Sequence, residues 1–175
     1  MVRLVPMTVK EFEEYLERNI PRYAEENVKA GYWAPAEALE ESRKVHQQLL
    51  PSGLATKDHH FLTIQDEGGM AIGAVWLKAN YDTRLPSGFV YDLFIEEAHR
   101  GQGRGKQAML ALEEKAKELG LHTVALHVFA HNAVARALYE RLGYEVKSLN
   151  MTKLLTCVSR PGIVDLSGGS HHESR

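Results

Sequence analysis

Apolar side chains recur at helical spacing twice before the first stretch that alternates. In "MVRLVPMTVKEFEEYL", Thr8 followed by Glu11 has the form of a capping box, and Phe12, Tyr15, Leu16 and Ile20 then fall on one helical face. A second helix is expected from about Pro35, because proline suits a first turn, with Leu39, Val45 and Leu49 inward and "LLPSG" ending it. "HHFLTIQDEGGMAIGAVWLKA" reads as two strands joined by a turn at Asp66 to Gly69. After a further turn at "RLPSG", "FVYDLFI" is an apolar strand rich in β-formers.

Helical spacing returns from about Lys106 to Leu119, where Met109, Leu112, Ala116 and Leu119 form one stripe and Gly120 is a natural stop. "HTVALHVFA" is a strand, and "NAVARALYERLG" is a short helix with Ala135, Leu138 and Leu142 inward, ended by Gly143. "YEVKSLNMTKLL" reads as a last strand or pair of strands. The order is two helices, three strands, helix, strand, helix, strand, which predicts a mixed α/β domain. One domain is expected over residues 1–157. From about Pro161 the periodicity is gone, so residues 158–175 are read as a flexible tail or a remnant of an expression vector.

Composition narrows the function classes. Hydrophobic residues at 44% and charged residues at 25% suit a soluble globular protein of 175 residues. A net charge of −2 argues against a nucleic-acid binder that works through bulk positive charge. Cys157 is the single cysteine, so neither a disulfide framework nor a thiolate metal site is expected, and "LLTCVSRPG" gives it no activating neighbours. The histidines of "DHH" (58–60) and "HH" (171–172) lack paired metal-ligand spacing. The N-terminus has no signal-peptide run and no stretch approaches a membrane span, so a cytoplasmic protein that does not engage membranes is expected.

The densest chemistry is "HRGQGRGKQAM". A mononucleotide loop GxxxxGK[ST] ending at Lys106 would need glycine where Arg100 stands and a hydroxyl where Gln107 stands. A dinucleotide fingerprint started at Gly101 would need glycine at Lys106. The pattern [QR]xxGx[GA] is met by Arg100, Gly103 and Gly105. Its glycines let successive N–H groups converge on one anion at a helix N-terminus, with Arg100, Arg104 and Lys106 adding charge. A glycine-rich turn carrying solvated basic residues would share this composition.

Downstream, "LHVFAHNAVARALYERLGY" sets Asn132, Ala135, Leu138, Tyr139, Gly143 and Tyr144 in a strand-to-helix frame. Strand, glycine loop, helix, strand and this segment, over about Phe89 to Tyr144, resemble the GNAT superfamily of acyl-CoA-dependent N-acetyltransferases. Residues Met1 to Asn80 are compatible with that resemblance. It implies a central, mostly antiparallel sheet with helices on both faces, whose fourth and fifth strands, "FVYDLFI" and "HTVALHVFA", splay into a V. It further implies acetyl-CoA as co-substrate. The pantetheine arm would lie between those strands against backbone groups of Phe94 and Ile95, and the diphosphate on Arg100, Gly101, Gln102, Gly103, Arg104, Gly105 and Lys106. Asn132 carries over as a polar contact to the arm, though it also suits an N-cap. Tyr139 matches the family tyrosine whose phenol protonates or stabilises the leaving thiolate.

The implied reaction is acetyl transfer to a primary amine by direct attack in a ternary complex, with no covalent acyl-enzyme. A backbone N–H near Phe94 or Ile95 would serve the developing oxyanion. The general base is not carried over. Asp92 sits mid-strand among apolar neighbours and reads as base, ammonium anchor or structural acceptor; strict alternation puts it on one face with Val90 and Phe94. His127 is a second candidate, and His131 reads as a loop residue. "AGYWAP" and "NYDTRLPSG" offer Tyr32, Trp33 and Tyr81 as substrate contacts or as packing aromatics. Glu25 and Glu26 either favour a cationic amine or form a solvated helix face. The acceptor is a small-molecule or peptide amine, and pairing as a homodimer stays open. The alternatives are a non-catalytic acyl-CoA-binding or regulatory domain, a longer acyl group, or a protein N-terminus or lysine as acceptor.

Overall fold

The computed structural model describes residues 1–153 and residue 155. Cys157 and the tail expected at 158–175 lie outside the described residues. Residues Met1–Tyr144 form one compact unit that contains every helix and strand among the described residues.

The capping box forms as expected. The Thr8 hydroxyl accepts from the Glu11 N–H at 3.3 Å, Glu11 Oε2 accepts from the Thr8 N–H at 2.8 Å, and helix α1 runs Val9–Lys29. Before it lies a strand that the pattern does not announce, β1 (Arg3–Pro6), four residues ending in proline and too short for a period to show. It pairs antiparallel with β2 (His59–Gln65) at the sheet edge, where proline's missing donor costs nothing.

Helix α2 (Ala38–Leu49) starts after Pro35 rather than at it, and its inward face differs from the expectation. Ala38, Ser42 and His46 are buried, Val45 and Leu49 are half-buried, and Leu39 is 40% exposed. Polar anchors set this rotation: the Ser42 hydroxyl donates to the Ile20 carbonyl at 2.7 Å, and His46 faces Asn19 of α1. Hydrophobic periodicity alone does not register such bonds.

The sheet continues through β3 (Ala71–Asn80), β4 (Ser87–Ile95) and β5 (Thr123–Leu126), in the spatial order β1-β2-β3-β4-β5. All neighbours are antiparallel except β4 and β5. Each face carries a core. Met7, Phe12, Tyr15, Phe61, Ala74 and Trp76 bury the α1 side. Leu62, Ile64, Val75, Leu77 and Val90 meet Ala108, Met109, Leu112 and Ala116 of α3 (Arg104–Glu118) on the other. Helix α4 (Ala133–Arg141) packs Leu138 and Tyr139 against that second core.

Strand β5 is shorter than "HTVALHVFA". It pairs only with Ser87 through Val90, while β4 continues to Ile95 without it. The fourth and fifth strands therefore part beyond Val90 and Leu126.

The expected strand over "YEVKSLNMTKLL" is not formed among the described residues of the second unit, which begins at Glu145. A strand needs a neighbour's backbone groups, and residues 145–153 supply none to each other. Their one ion pair joins Lys147 to Glu145 at 2.7 Å. Among the described residues no helix is long and apolar enough to cross a membrane.

Candidate active site

Strand β4 carries one residue too many for its partner. Trp76 pairs with Asp92 and Leu77 with Val90, which leaves Tyr91 as a bulge. The alternation that would join Val90 to Asp92 fails at this residue. Val90, Leu93 and Ile95 face the α3 core, whereas Asp92 and Phe94 face α1. Tyr91 stays on the Asp92 side, its ring 4.6 Å from that of Trp76. Nearby, β3 and β4 approach so closely that a Cβ on Gly73 would lie 2.2 Å from the Phe94 carbonyl oxygen.

Helix α1 supplies what holds Asp92. Its Oδ2 accepts from the Tyr15 hydroxyl at 3.0 Å and from Arg22 Nη2 at 2.5 Å. The same Arg22 nitrogen donates to Asn19 Oδ1 at 2.9 Å, and the guanidinium carbon lies 4.2 Å above the Phe94 ring. Asn19 Nδ2 donates to the Tyr15 oxygen at 2.7 Å and lies 3.5 Å from His46 Nε2. His46 Nδ1 closes the chain on the Ser42 carbonyl at 2.8 Å. The Asp92 side chain is 17% exposed, and its Oδ1 accepts no bond among the described residues.

Burial pushes the Asp92 carboxyl above the usual carboxylate range, against the opposing pull of Arg22 and Tyr15. Burial also lowers the His46 imidazole, which stays neutral as its acceptor role toward Asn19 requires. The Tyr139 phenol is raised by burial and then by the Asp92 charge, so it holds its proton through neutral pH.

The glycine loop has the geometry of an anion cradle. Gly101 and Gly103 both adopt φ of 73°, a left-handed conformation that favours glycine, and Gly103 is the N-cap of α3. The first helical bond runs from the Gln107 N–H to the Gly103 carbonyl. The N–H groups of Gly101, Gln102, Gly103, Arg104, Gly105 and Lys106 thus donate to no acceptor among the described residues. Arg100 Nε ties the loop to the end of β4 through the Ile95 carbonyl at 2.8 Å. Arg104 bonds Gln102 at 3.3 Å and lies 3.9 Å from Asp66, while Lys106 has no ion-pair partner among the described residues. Six open donors at a helix N-terminus beside basic side chains fit a diphosphate.

The remaining expected residues are spread more widely. Asn132 caps α4, its Oδ1 accepting from the Ala135 N–H at 3.1 Å. Tyr32 is 56% exposed with its ring 6.5 Å from Phe129, and Trp33 meets Tyr23 edge-on at 5.5 Å. Tyr81 is not brought to them: its hydroxyl donates to the Leu119 carbonyl, just past the end of α3. Glu26 takes Lys29 at 2.9 Å and His131 at 2.6 Å. His127 is exposed, edge-on to Phe129. Sequence reasoning missed Asn19 and Arg22 and saw Tyr15 only as core. The signal was there, since polar groups at i, i+4 and i+7 share one face of α1.

The description "Acetyltransferase (GNAT) family" matches residues 13–144. The chain belongs to this family. It is 40% identical to the uncharacterized N-acetyltransferase YycN of Bacillus subtilis (strain 168) over 154 residues, 88% of this chain and 99% of that protein. It is 36% identical to the uncharacterized N-acetyltransferase YdgE of the same organism, over 87% of this chain and 97% of that protein. The crystal structure of YycN superposes with a TM-score of 0.87, covering 89% of this chain and 99% of that one. The fold alone is shared with the aminoglycoside N-acetyltransferase AAC(6')-Iy in complex with CoA, at a TM-score of 0.57 and 16% identity. GNAT acetyltransferases move an acetyl group from acetyl-CoA, and acetyl-CoA is the co-substrate here. The splayed strands and the open N–H loop suit that co-substrate on geometric grounds as well.

Proposed function

We propose that the protein acetylates a primary amine by direct attack on the thioester in a ternary complex, with Asp92 as general base and Tyr139 as general acid. The observation that carries this reading is Asp92. A carboxyl beside the bulge of β4, raised by burial and held through Oδ2 alone, leaves Oδ1 without a bond among the described residues, two residues past the last pair of β4 with β5.

The diphosphate would rest on Gly101 through Lys106, flanked by Arg100. The pantetheine arm would pair with backbone groups of Phe94 and Ile95, with Asn132 as a further polar contact, and Tyr32 and Trp33 would border the acceptor. The amine loses its proton to Asp92 Oδ1, directly or through one water, and its lone pair forms the new C–N bond. The carbonyl oxygen takes the charge beside a β4 backbone N–H. As the C–S bond breaks, the Tyr139 hydroxyl, kept protonated by its raised pKa, gives its proton to the departing thiolate. The excess proton left on the nitrogen after the C–N bond forms passes through water to restore the phenol.

Thiol release with and without Asp92→Asn and Tyr139→Phe tests the assignment. Each variant is expected to lower kcat about 100-fold while acetyl-CoA binding by calorimetry changes less than about threefold. An Asp92→Asn enzyme with wild-type kcat would remove Asp92 from the mechanism.

A further inference from the structure

We infer that the acceptor carries an aromatic ring beside its amine, and that Phe89 and Tyr91 of β4, with Tyr23 and Trp33 nearby, form the wall that receives it. This rests on the assignment of Asp92 as the point where the amine reacts.

Direction comes first. Helix α1 covers the Phe94 side of Asp92: the Tyr15 ring lies parallel to Phe94 with centroids 6.4 Å apart, and Arg22 sits over the same ring. The cleft that lies that way carries Glu11, Glu14, Arg18 and Glu96 beside Tyr15 and Phe94, a lining that suits charged groups and not an apolar ring. On the other side, the same face of β4 is open. Phe89 is 36% and Tyr91 37% exposed, while Trp76 behind them is buried. The bulge is what puts Tyr91 on this face, one residue from Asp92.

The open surface is preorganised. Tyr91 lies nearly parallel to Trp76 (22°, 4.6 Å), and Phe89 meets Tyr91 edge-on at 5.0 Å. Trp76 is itself pinned, its Nε1 donating to His59 Nδ1 at 2.8 Å. His46, 5.8 Å from the Trp76 ring, links these rings to Tyr23, which stands edge-on to His46 at 5.8 Å and to Trp33 at 5.5 Å. The nearness of Tyr23 helps to raise the Tyr91 phenol, after burial. Rings held by other rings bind a further ring with little loss of side-chain freedom.

Charge points the same way. A polyamine would need a second carboxylate for its far ammonium. Glu26 is already engaged by Lys29 and His131, the rings of the wall carry no charge, and Glu11, Glu14 and Glu96 line the cleft on the Phe94 side instead. A single ammonium at Asp92 followed by an apolar ring matches what is offered.

The chain has two tryptophans, Trp33 in this wall and Trp76 stacked directly behind Tyr91, so intrinsic fluorescence reports its occupation independently of turnover. The full-length protein with CoA bound is titrated with 2-phenylethylamine, butylamine and spermidine, and kcat/KM is measured for each with acetyl-CoA. A saturable fluorescence change with 2-phenylethylamine alone is expected, with kcat/KM at least about tenfold above that for butylamine. Tyr91→Ala should bring that ratio close to one, and Tyr91→Phe should keep it. Equal kcat/KM for the three amines, or a ratio unmoved by Tyr91→Ala, would overturn the inference. Asp92→Asn separates the two readings. If it still gives a saturable fluorescence change with 2-phenylethylamine, at an affinity lowered by the lost ammonium contact, and its turnover is lost, both stand. If its turnover is unchanged, the base assignment falls while the ring preference keeps its own test. If no saturable change remains, the wall does not receive the ring and the inference falls.

Discussion

On the proposed role of Asp92, the Tyr15 hydroxyl would act on the chemistry without touching substrate. It donates to Asp92 Oδ2 and accepts from Asn19, so it holds the carboxylate and lowers its proton affinity against the effect of burial. Tyr15→Phe keeps the ring that packs between Phe61 and Phe94 and deletes only the donor. The Asp92 pKa then rises further. Protonated Asp92 cannot accept the amine's proton, so a higher pKa moves the acid limb of the kcat profile to higher pH. Activity should fall more at pH 6 than at pH 8, and the limb should vanish in Asp92→Asn. A pH profile for Tyr15→Phe that overlays the wild type would mean that the hydroxyl is purely structural.

At the scale of elements, β3 and β4 are bound by a close approach that only glycine allows. Alanine at Gly73 would set its Cβ within 2.2 Å of the Phe94 carbonyl oxygen and 3.2 Å of Ile95 Cα, both backbone atoms that cannot rotate away. Gly73→Ala must therefore spread the strands at the end of β4 that leads into the glycine loop. A loss of about 3 kcal/mol is expected, read as a fall in Tm of about 10 °C, together with weaker acetyl-CoA binding. A variant as stable as the wild type would show that the strands can separate there at little cost. Much at this scale is legible in the sequence. The capping box of α1, the Asp66–Gly69 turn, the stripe of α3 and the N-cap at Asn132 rest on contacts within a few residues of each other, and local pattern records such contacts. What escaped depends on partners far along the chain. Strand β1 exists because β2 pairs with it, the rotation of α2 follows from bonds to α1, and the bulge at Tyr91 appears only when β4 is laid beside β3. The site divides the same way. In the proposed site, the glycine loop shows in local spacing and Tyr139 comes from the family resemblance, whereas Arg22 reaches Asp92 across 70 positions that no local window joins.

For the whole molecule, the loop before α3, the free end of β4 and Asp92 are coupled through short links. Arg100 ties the loop to the Ile95 carbonyl, and Arg22 and Tyr15 tie β4 to α1. A ligand held by the loop binds the folded unit and not the unfolded chain, so it must stabilise the fold by mass action. At acetyl-CoA one hundred times above its dissociation constant the gain is about 2.7 kcal/mol. For a protein of this size that corresponds to a rise in Tm of roughly 5–10 °C. Gly103→Glu should abolish the rise, because it puts a bulky carboxylate among the open N–H groups and a non-glycine residue at φ of 73°. Strain at that position lowers the starting Tm as well, so the quantity that decides is the ligand-dependent shift within each variant. Asp92→Asn, whose change lies at the reacting end, should show the full rise with acetyl-CoA and with CoA. Thermal melts of the three proteins, each with and without the two ligands, measure this directly. A wild type that does not respond, or a Gly103→Glu protein that responds equally, would remove the loop from acetyl-CoA binding.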